Sequence, residues 1–363
     1  MPADPRPACL ITGIVSPYRR EPFRLLGQAE DVEVIAHGEA GPPVPGLTVH
    51  RTTQAGAARM AASGRYRAVI AGIDGRLALP GAYAAARVRG IPFVLWATIW
   101  AHPRTPAHAL SYLPMRQIYR AADAVATYGP HVSRYVERHR AGSTGSDVVV
   151  APQAVDVEHF GAPVPDAARA AARAHAGGPG TELLVLFAGR LVREKGVETL
   201  ADAWRRAELG TGARLALAGS GPLEPAVRRA LPHARLLGHV PADELPALYA
   251  AADVLVLPSI HTASFREPWG LVVNEAMLQR TPVVASDQVG AAAGGLVRDG
   301  RNGFVVAAGD ADALATRLRA LAASGELRAA MGAAARDDAS ALTPAAWARG
   351  MAAALAAAGA GRD

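Results

Sequence analysis

Short apolar runs rich in β-branched residues recur along the chain, each followed by a Gly/Pro turn and a segment of helical periodicity. The runs are almost continuously apolar, as expected for parallel strands that are covered on both faces. Their alternation with helices predicts an α/β fold with doubly wound sheets. The twelve predicted strands lie at 8–15, 32–37, 67–72, 91–98, 123–128, 147–152, 183–189, 214–219, 235–240, 253–258, 281–286 and 303–306.

Twelve strands are too many for one open sheet, and the series breaks in its middle. Residues 161–181 are rich in Ala, Gly and Pro without a strand signal, so we interpret them as a linker and a helix. We therefore predict two Rossmann-like domains, at 1–160 and 161–343, that face a cleft. The tail at 344–360 is predicted to be a helix that packs back on the first domain, with Trp347 as its anchor.

Composition narrows the class of protein. Half of the 363 residues are apolar, which suffices for two cores of ordinary size. Cys9 is the only cysteine, so no intrachain disulfide can form. The N-terminal apolar run has only the length of a strand, and no run approaches the ~20 apolar residues of a membrane span. These features predict a cytoplasmic protein without a signal peptide.

Almost all of the positively charged side chains are arginines. The net charge is +6, and Lys195 is the only lysine among 38 Lys and Arg residues. The basic residues form no run with interleaved aromatics, and aromatics are only 5% of the chain, which argues against nucleic-acid binding. A phosphate-bearing small molecule or weak contact with an anionic membrane stays open.

Two basic residues follow the strand predicted at 183–189. Arg190 lies at its carboxyl end, and Lys195 lies just before a helix predicted to begin near Gly196. Ligands bind at this end of parallel strands, and a helix N-terminus favours an anion. The planar fork of Arg and the compact ammonium of Lys are complementary around a diphosphate. The alternative is a local ion pair of Lys195 with Glu194 or Glu198.

Two glutamates follow the strand predicted at 253–258. Glu267 lies in a loop before a Pro-Trp-Gly turn, and Glu275 lies in the second turn of a helix that begins near Gly270. Glu275 shares an apolar stripe with leucines, where a carboxylate needs polar partners. The amides of residues 270–272 are free donors at the start of this helix. One ligand, a nucleotide sugar, satisfies these amides, the two glutamates and the basic pair. Ribose is then assigned to Glu275 and hexose to Glu267, and the diphosphate to the basic pair and the amides of Gly270, Leu271 and Val272.

The second half resembles a known family. The motifs GR-x4-K-G (Gly189, Arg190, Lys195, Gly196), AGSGP (218–222) and EPWGLVVNEAM (267–277) are similar to the signature of GT-B retaining glycosyltransferases of the family-4 type, including their E-x7-E pattern. The resemblance spans about residues 183–306. It implies a twin-Rossmann GT-B fold, a nucleoside diphosphate sugar held by the C-terminal domain, front-face displacement, and neither a cofactor nor a metal.

The first half matches this family less closely. Only Gly13 stands where many members have a Gly-rich loop near the donor phosphate, and Ser16-Pro17-Tyr18-Arg19 takes the place of that loop. The resemblance implies a sugar-contacting role for His102, although a lone histidine is also compatible with a structural role. The stretch 109–122 is interpreted as a helix packed within the domain, with contact to a membrane as the alternative.

Two other patterns are assigned to turns and helix ends. Asp310 and Asp312 match a D-x-D metal motif, but they open a helical run, so Asp310 is predicted to be an N-cap. Asp156-Val157-Glu158 is predicted to be a turn. The loop at 219–221 lacks the third glycine of a dinucleotide site, since Glu224 stands in its place.

The predicted function is a metal-independent retaining transfer of a hexosyl unit to an acceptor hydroxyl. The acceptor is a sugar, a lipid-linked sugar or a small metabolite. Three alternatives stay open: a GT-B sugar-nucleotide epimerase, a twin-Rossmann dehydrogenase and a non-catalytic nucleotide-sugar-binding protein.

Overall fold

The computed structural model describes residues 4–39, 41–140 and 147–360, which divide into two units. The first unit runs to Ala154 and takes up the chain again at Thr343. The second unit is Val155–Leu342. The boundary thus lies a few residues before the 160/161 of the sequence analysis, because the short helix Val157–Gly161 belongs to the second unit.

The first unit contains a seven-stranded parallel sheet in the order β3-β2-β1-β4-β5-β6-β7. Its strands are β1 Ala8–Thr12, β2 Val32–Ala36, β3 Val49–Arg51, β4 Ala68–Gly72, β5 Phe93–Ala97, β6 Ala124–Thr127 and β7 Val148–Val150. Its helices are α1 Pro17–Glu30, α2 Gln54–Ala62, α3 Ala78–Arg89, α4 Pro106–Ala121, α5 Pro130–Glu137 and α15 Pro344–Ala360.

The second unit contains a six-stranded parallel sheet in the order β10-β9-β8-β11-β12-β13. Its strands are β8 Leu183–Ala188, β9 Ala213–Ala218, β10 Arg235–Gly238, β11 Val254–Leu257, β12 Val283–Ser286 and β13 Gly303–Val306. Its helices are α6 Val157–Gly161, α7 Asp166–Gly177, α8 Val197–Ala207, α9 Glu224–Ala230, α10 Leu245–Ala251, α11 Leu271–Leu278, α12 Gly290–Ala293, α13 Ala311–Ala323 and α14 Gly325–Ala339, with a 3-10 turn at Arg193–Lys195.

Each of the twelve predicted runs overlaps a strand, and the central strands are buried along their whole length, as in β1, β4, β5 and β8. The sequence analysis missed β3. This strand lies at the edge of the first sheet, and its residues, Val49–Arg51, are half-buried or exposed. Its three residues include a single apolar side chain, that of Val49, so this strand gives no continuous apolar run.

The C-terminal helix α15 completes the first unit. Trp347 is 2% exposed, and its ring centroid lies 5.4 Å from those of Phe23 in α1 and Trp96 in β5. Three aromatic rings from distant parts of the sequence therefore share one core.

The structure tests two local interpretations at helix starts. Asp156 does not form a simple turn: its carboxylate caps α6 by accepting from the amides of Glu158 and His159. Asp310 caps α13 as predicted, accepting from the amide of Ala313 at 2.8 Å.

Helix α4 is only partly packed within its unit. Ile118 and Tyr119 near its C-terminal end are buried, whereas Leu110 and Leu113 are 87% and 68% exposed. The interpretation of 109–122 as a packed helix is therefore wrong for its first half. Across residues 4–39, 41–140 and 147–360, none of the helices combines the length and the apolar character needed to cross a membrane.

Candidate active site

The candidate site lies in the second unit where the strand order reverses. Strands β8 and β11 are neighbours, and the chain continues outward from them in opposite directions, through β9 and β10 on one side and β12 and β13 on the other. In open α/β sheets this switch point is where ligands bind, beyond the carboxyl ends of the strands. Arg190 and Lys195 follow β8, and Glu267 follows β11.

An ion pair joins these two loops. The ammonium group of Lys195 donates to Oε2 of Glu267, and the hydroxyl of Ser259 donates to the same oxygen at 3.1 Å. The side chains of Lys195 and Glu267 are only 15% and 7% exposed. The phenyl ring of Phe265 lies near the ammonium, 5.8 Å away. The single lysine of the chain is thus held in a largely enclosed place that it shares with a carboxylate.

A glycine fixes the backbone behind Lys195. Gly196 has φ +69°, ends the 3-10 turn and begins α8. A Cβ atom at this position would lie 1.9 Å from the carbonyl oxygen of Pro258, in the segment that follows β11. Only glycine therefore allows the two loops to approach closely enough for the ion pair to form.

Arg190 takes a different orientation from that of Lys195. Its side chain is 68% exposed and lies 3.4 Å from the carboxylate of Glu194. Glu194, which the sequence analysis considered as a partner for Lys195, therefore contacts Arg190. The structure places both basic residues in the loop after β8 but leaves Arg190 in solvent. Gly189, at the end of β8, is held by a hydrogen bond from its amide to the carbonyl of Ala218.

Helix α11 directs its N-terminal amides toward the same edge of the sheet. Gly270, with φ +92°, is its N-cap residue, and no side chain caps this helix. The amides of Leu271 and Val272, in the first turn, have no acceptor in the helical ladder. The preceding turn is fixed by the buried indole of Trp269, which donates to Oδ1 of Asn274 at 2.7 Å.

Glu275 is held by a partner that the sequence analysis missed. The hydroxyl of Tyr249, a buried residue of α10, donates to Oε2 of Glu275 at 2.6 Å. Burial raises the pKa of Glu275 to about 7, while the hydrogen bond from Tyr249 and the charge of His159 act in the opposite direction. Tyr249 gave no signal in the sequence, since a tyrosine on an apolar helix face is also typical of a core.

The first unit holds the remaining predicted residues. The amide of Gly13 donates to Oδ2 of Asp74. His102 follows β5, and its Nε2 is 2.8 Å from the carbonyl oxygen of His108. The ring of Tyr112 lies 5.2 Å from that of His102. The roles of Gly13 and His102 in ligand binding stay predictions.

No group of three or more His, Cys, Asp or Glu residues in the described part of the chain is arranged to hold a metal ion. The D-x-D pattern is accounted for by structure: Asp310 caps α13, and Asp312 pairs with Arg206 at 2.7 Å.

Solved structures share this architecture. The crystal structure of Anabaena Alr3699/HepE in complex with UDP matches 96% of this chain and 99% of that chain, with a TM-score of 0.77 and 20% sequence identity. Sucrose-phosphate synthase from Thermosynechococcus elongatus matches 96% of this chain and 97% of its own, with a TM-score of 0.73 and 22% identity. The chain has the GT-B fold, built from two Rossmann-like units, as the sequence predicts.

Residues 168–338 match the model of the family described as glycosyl transferases group 1. The chain therefore carries a domain of this family, and the domain contains Lys195, Glu267 and Glu275. The resemblance to glycosyltransferases noted in the sequence motifs is confirmed at the level of this family, while retention and the roles of the E-x7-E glutamates stay predictions.

Curated relatives are named glycosyltransferases. The D-inositol 3-phosphate glycosyltransferase of Xylanimonas cellulosilytica is 38% identical over 231 residues, which are 60% of this chain and 49% of that protein. The GDP-mannose-dependent alpha-(1-6)-phosphatidylinositol monomannoside mannosyltransferase of Mycolicibacterium smegmatis is 36% identical over 235 residues, 61% of this chain and 59% of its own. The chain spans about half the length of the curated relatives it matches.

Proposed function

We propose that this protein transfers a hexosyl unit from a nucleoside diphosphate sugar to an acceptor hydroxyl, with retention of the anomeric configuration and without a metal. The observation that carries the proposal is the enclosed pair of Lys195 and Glu267 at the switch point of the second sheet. It brings together a cation suited to a diphosphate and a carboxylate suited to sugar hydroxyls.

The proposed donor pose follows from the positions of the site groups. The diphosphate would contact the ammonium of Lys195 and the amides at the start of α11, where the helix dipole adds positive potential. Glu275 would accept hydrogen bonds from ribose hydroxyls, and Glu267 from the hexose. Arg190, which is exposed without a donor, would turn toward the phosphates.

The main chemical task of these groups is to stabilise the departing diphosphate. A cation and backbone amides that are already in place cost little reorganisation when negative charge develops on the leaving group. No side chain of the donor site is placed as an obvious nucleophile, so we favour front-face displacement, in which the departing phosphate helps to deprotonate the acceptor. The proposed donor is a nucleotide sugar; the mannosyltransferase relative is named as GDP-mannose-dependent, and the similar Anabaena structure contains UDP.

A thermal-shift panel followed by an assay of product tests the proposal. UDP, GDP, ADP, dTDP and their hexose derivatives are added at rising concentration, and the tightest donor should raise the Tm in a concentration-dependent way. That donor should then lose its hexose to an acceptor, or slowly to water. Conversion of the donor into an isomer would identify an epimerase instead, and binding of donor with no turnover would identify a binding protein.

A further inference from the structure

The net positive charge of the chain belongs to the first unit. Residues 1–154 and 343–363 contain 19 arginines and 11 acidic residues, which gives this unit a net charge of +8. Residues 155–342 contain 19 basic and 21 acidic residues, which gives the second unit a net charge of −2. A bias of composition alone would spread the basic residues over both units, so the concentration of charge on one of them indicates an anionic partner for that unit.

The charge of the first unit is most one-sided in a single stretch. Between Asp74 and Asp123 the chain has six arginines and no acidic residue over 48 positions. This stretch contains α3, β5 and α4. Its arginines Arg104, Arg116 and Arg120 are exposed, and none of them lies within 4.0 Å of a carboxylate among the residues that the structure describes. Their charges are therefore available to a partner.

The exposed large hydrophobic side chains follow the same distribution. Seven of them are exposed in the described part of the chain, and all seven belong to the first unit. Single apolar residues are normal on a protein surface, but their concentration beside a block of unpaired charge indicates an interaction surface. Five of the seven lie in the stretch without acidic residues: Leu77, Val88, Leu110, Tyr112 and Leu113.

Helix α4 presents both kinds of side chain on one face. Leu110 and Leu113 are three residues apart, and Arg116 and Arg120 follow Leu113 by three and seven residues, so the four side chains lie on the same side of the helix. All four are exposed, whereas Ile118, on another side of the helix, is 3% exposed. We call these four residues the α4 face. Its two leucines lie in the N-terminal half of the helix and its two arginines in the C-terminal half.

We infer that the α4 face docks on the surface of an anionic lipid bilayer. The leucine side chains enter the boundary between headgroups and acyl chains, and the two guanidinium groups bind lipid phosphates while their aliphatic stems lie along the apolar layer. The remaining positive charge of the first unit attracts the same surface over a longer distance. The inference is independent of the proposed transfer, because it involves neither Lys195 nor the glutamates of the donor site.

Charge and shape favour a bilayer over two other partners. A second copy docked through the same face would bring a unit of charge +8 against itself, which is repulsive. A nucleic acid would neutralise the arginines through its phosphates, but those contacts leave Leu110 and Leu113 in water. An anionic bilayer offers negative charge and an apolar layer side by side, which matches the α4 face.

Flotation of the full chain with lipid vesicles tests the inference in the absence of any nucleotide sugar. One set of vesicles contains phosphatidylcholine alone, and the other contains ~30% phosphatidylglycerol, which supplies the negative surface potential. At about 0.05 M NaCl at least tenfold more protein should float with the anionic vesicles, and about 0.5 M NaCl should remove most of this difference by screening. Equal binding to both sets, or binding to neither, would overturn the inference.

A matched pair of double variants separates the α4 face from net charge. Arg116→Gln with Arg120→Gln should lower the bound fraction at least fivefold. Arg228→Gln with Arg229→Gln makes the same change in net charge on exposed residues of α9, in the second unit, and should bind like the wild type. Equal losses in the two double variants would show a diffuse attraction without a specific face, and no loss in either would contradict the assignment.

The apolar part of the face has its own test. Leu110→Ser with Leu113→Ser should lower binding to anionic vesicles at least fivefold and keep the Tm within about 2 °C, since both side chains are exposed. Cys9 is buried, so a thiol introduced by Leu110→Cys can be labelled selectively with an environment-sensitive fluorophore. Its emission should shift to the blue on anionic vesicles, whereas a label on Ala323→Cys, at an exposed position of the second unit, should not change. No shift at position 110 would exclude insertion of this face.

The same labelled protein identifies the other partners. A blue shift that grows with protein concentration in the absence of vesicles would assign the face to a second copy of the chain. Binding of an oligonucleotide that is lost in the arginine pair and kept in the leucine pair, without vesicle binding, would assign it to nucleic acid. Vesicle binding without turnover of any nucleotide sugar leaves the docking intact and refutes the proposed transfer, and turnover without vesicle binding does the reverse.

Discussion

Lys195 and Glu267 are 72 residues apart in the sequence, and their side chains form an ion pair. Both side chains are largely withdrawn from water, so removal of either one would leave the charge of the other buried and unpaired. In the proposed mechanism a diphosphate takes over the ammonium, and the carboxylate of Glu267 becomes available to the sugar. In the absence of donor, the ion pair therefore links two loops and also keeps two ligand-binding groups neutralised.

Removal of the lysine should disable transfer without unfolding the protein. We expect Lys195→Ala to lower kcat/KM by at least tenfold, because the leaving diphosphate loses its enclosed cation, a difference of about 1.4 kcal/mol or more in transition-state stabilisation. Initial rates with saturating acceptor measure the effect. Circular dichroism should show a native spectrum, since Glu267 keeps the hydroxyl of Ser259 as a partner. Near-normal turnover would contradict the donor-site assignment.

The choice of lysine over arginine at position 195 can be tested directly. We expect Lys195→Arg to remain well below wild-type activity, because the enclosed place beside Glu267 and Phe265 is filled by a compact ammonium, and a planar guanidinium is larger. The same initial-rate assay applies. Full activity of the arginine variant would show that the single lysine of this arginine-rich chain has no particular significance.

Glu267→Gln should affect the sugar more than the nucleotide. The amide keeps the shape of the side chain but removes the charge that accepts strong hydrogen bonds from hexose hydroxyls. We expect at least a tenfold loss in kcat, with the Kd of the free nucleoside diphosphate changed less than threefold. Calorimetry on the nucleotide and rates on the nucleotide sugar give the two numbers. Equal losses in both would place Glu267 at the nucleotide.

The raised pKa of Glu275 gives stability a specific pH dependence. Burial raises the pKa of the Glu275 carboxyl group from its ordinary value of 4.5 to about 7 in the folded protein. Between these values the folded state binds more protons than the unfolded state, so this group's contribution to stability is lost as the pH rises toward 7. Glu275→Gln removes this contribution, so its Tm relative to wild type should increase from pH 5 to pH 8. A constant Tm difference would contradict the pKa shift.

Tyr249 should set how readily Glu275 becomes the carboxylate that ribose requires. Its hydroxyl donates to Glu275, so Tyr249→Phe should raise the pKa of Glu275 further. We expect about a fivefold loss of nucleotide affinity near pH 7, equivalent to about 1 kcal/mol for the lost hydrogen bond. The loss should shrink at higher pH, where Glu275 ionises without help. Calorimetric Kd values from pH 6 to 9 measure it, and a pH-independent loss would indicate a packing effect only.

Trp347 should contribute strongly to the stability of the first unit. Replacing this buried ring by alanine removes its contacts with Phe23 and Trp96, and such changes cost about 3–5 kcal/mol. Urea unfolding followed by tryptophan fluorescence measures the loss. Leu110→Ala is the matched control, because Leu110 is 87% exposed, and it should change the free energy of unfolding by less than about 0.5 kcal/mol.

Features with a regular apolar pattern could be predicted from the sequence, whereas features that depend on tertiary contacts could not. The buried strands were readable because both of their faces are apolar, whereas the edge strand Val49–Arg51 was not. The two glutamates and Lys195 were readable because charged residues at strand ends are chemically conspicuous. Their direct pairing was not readable, because it depends on the close approach of Gly196 to Pro258 across two loops.

The same limit applies to partners that resemble core residues. Tyr249 and Ser259 are buried and carry no charge, so nothing in the local sequence pattern separates them from packing residues. Arg19 was noticed only as part of a loop that replaces a Gly-rich one. Its contacts with Thr12 of β1, Trp96 of β5 and Tyr128 after β6 depend on the tertiary fold and could not be predicted.

The return of α15 to the first unit has a consequence for synthesis on the ribosome. A growing chain that has released residues up to 154 still lacks the helix whose Trp347 completes the aromatic core. The second unit, by contrast, is one continuous stretch and is finished earlier. Although domains generally fold in the order of translation, here the unit begun first has to be the last to reach its final packing.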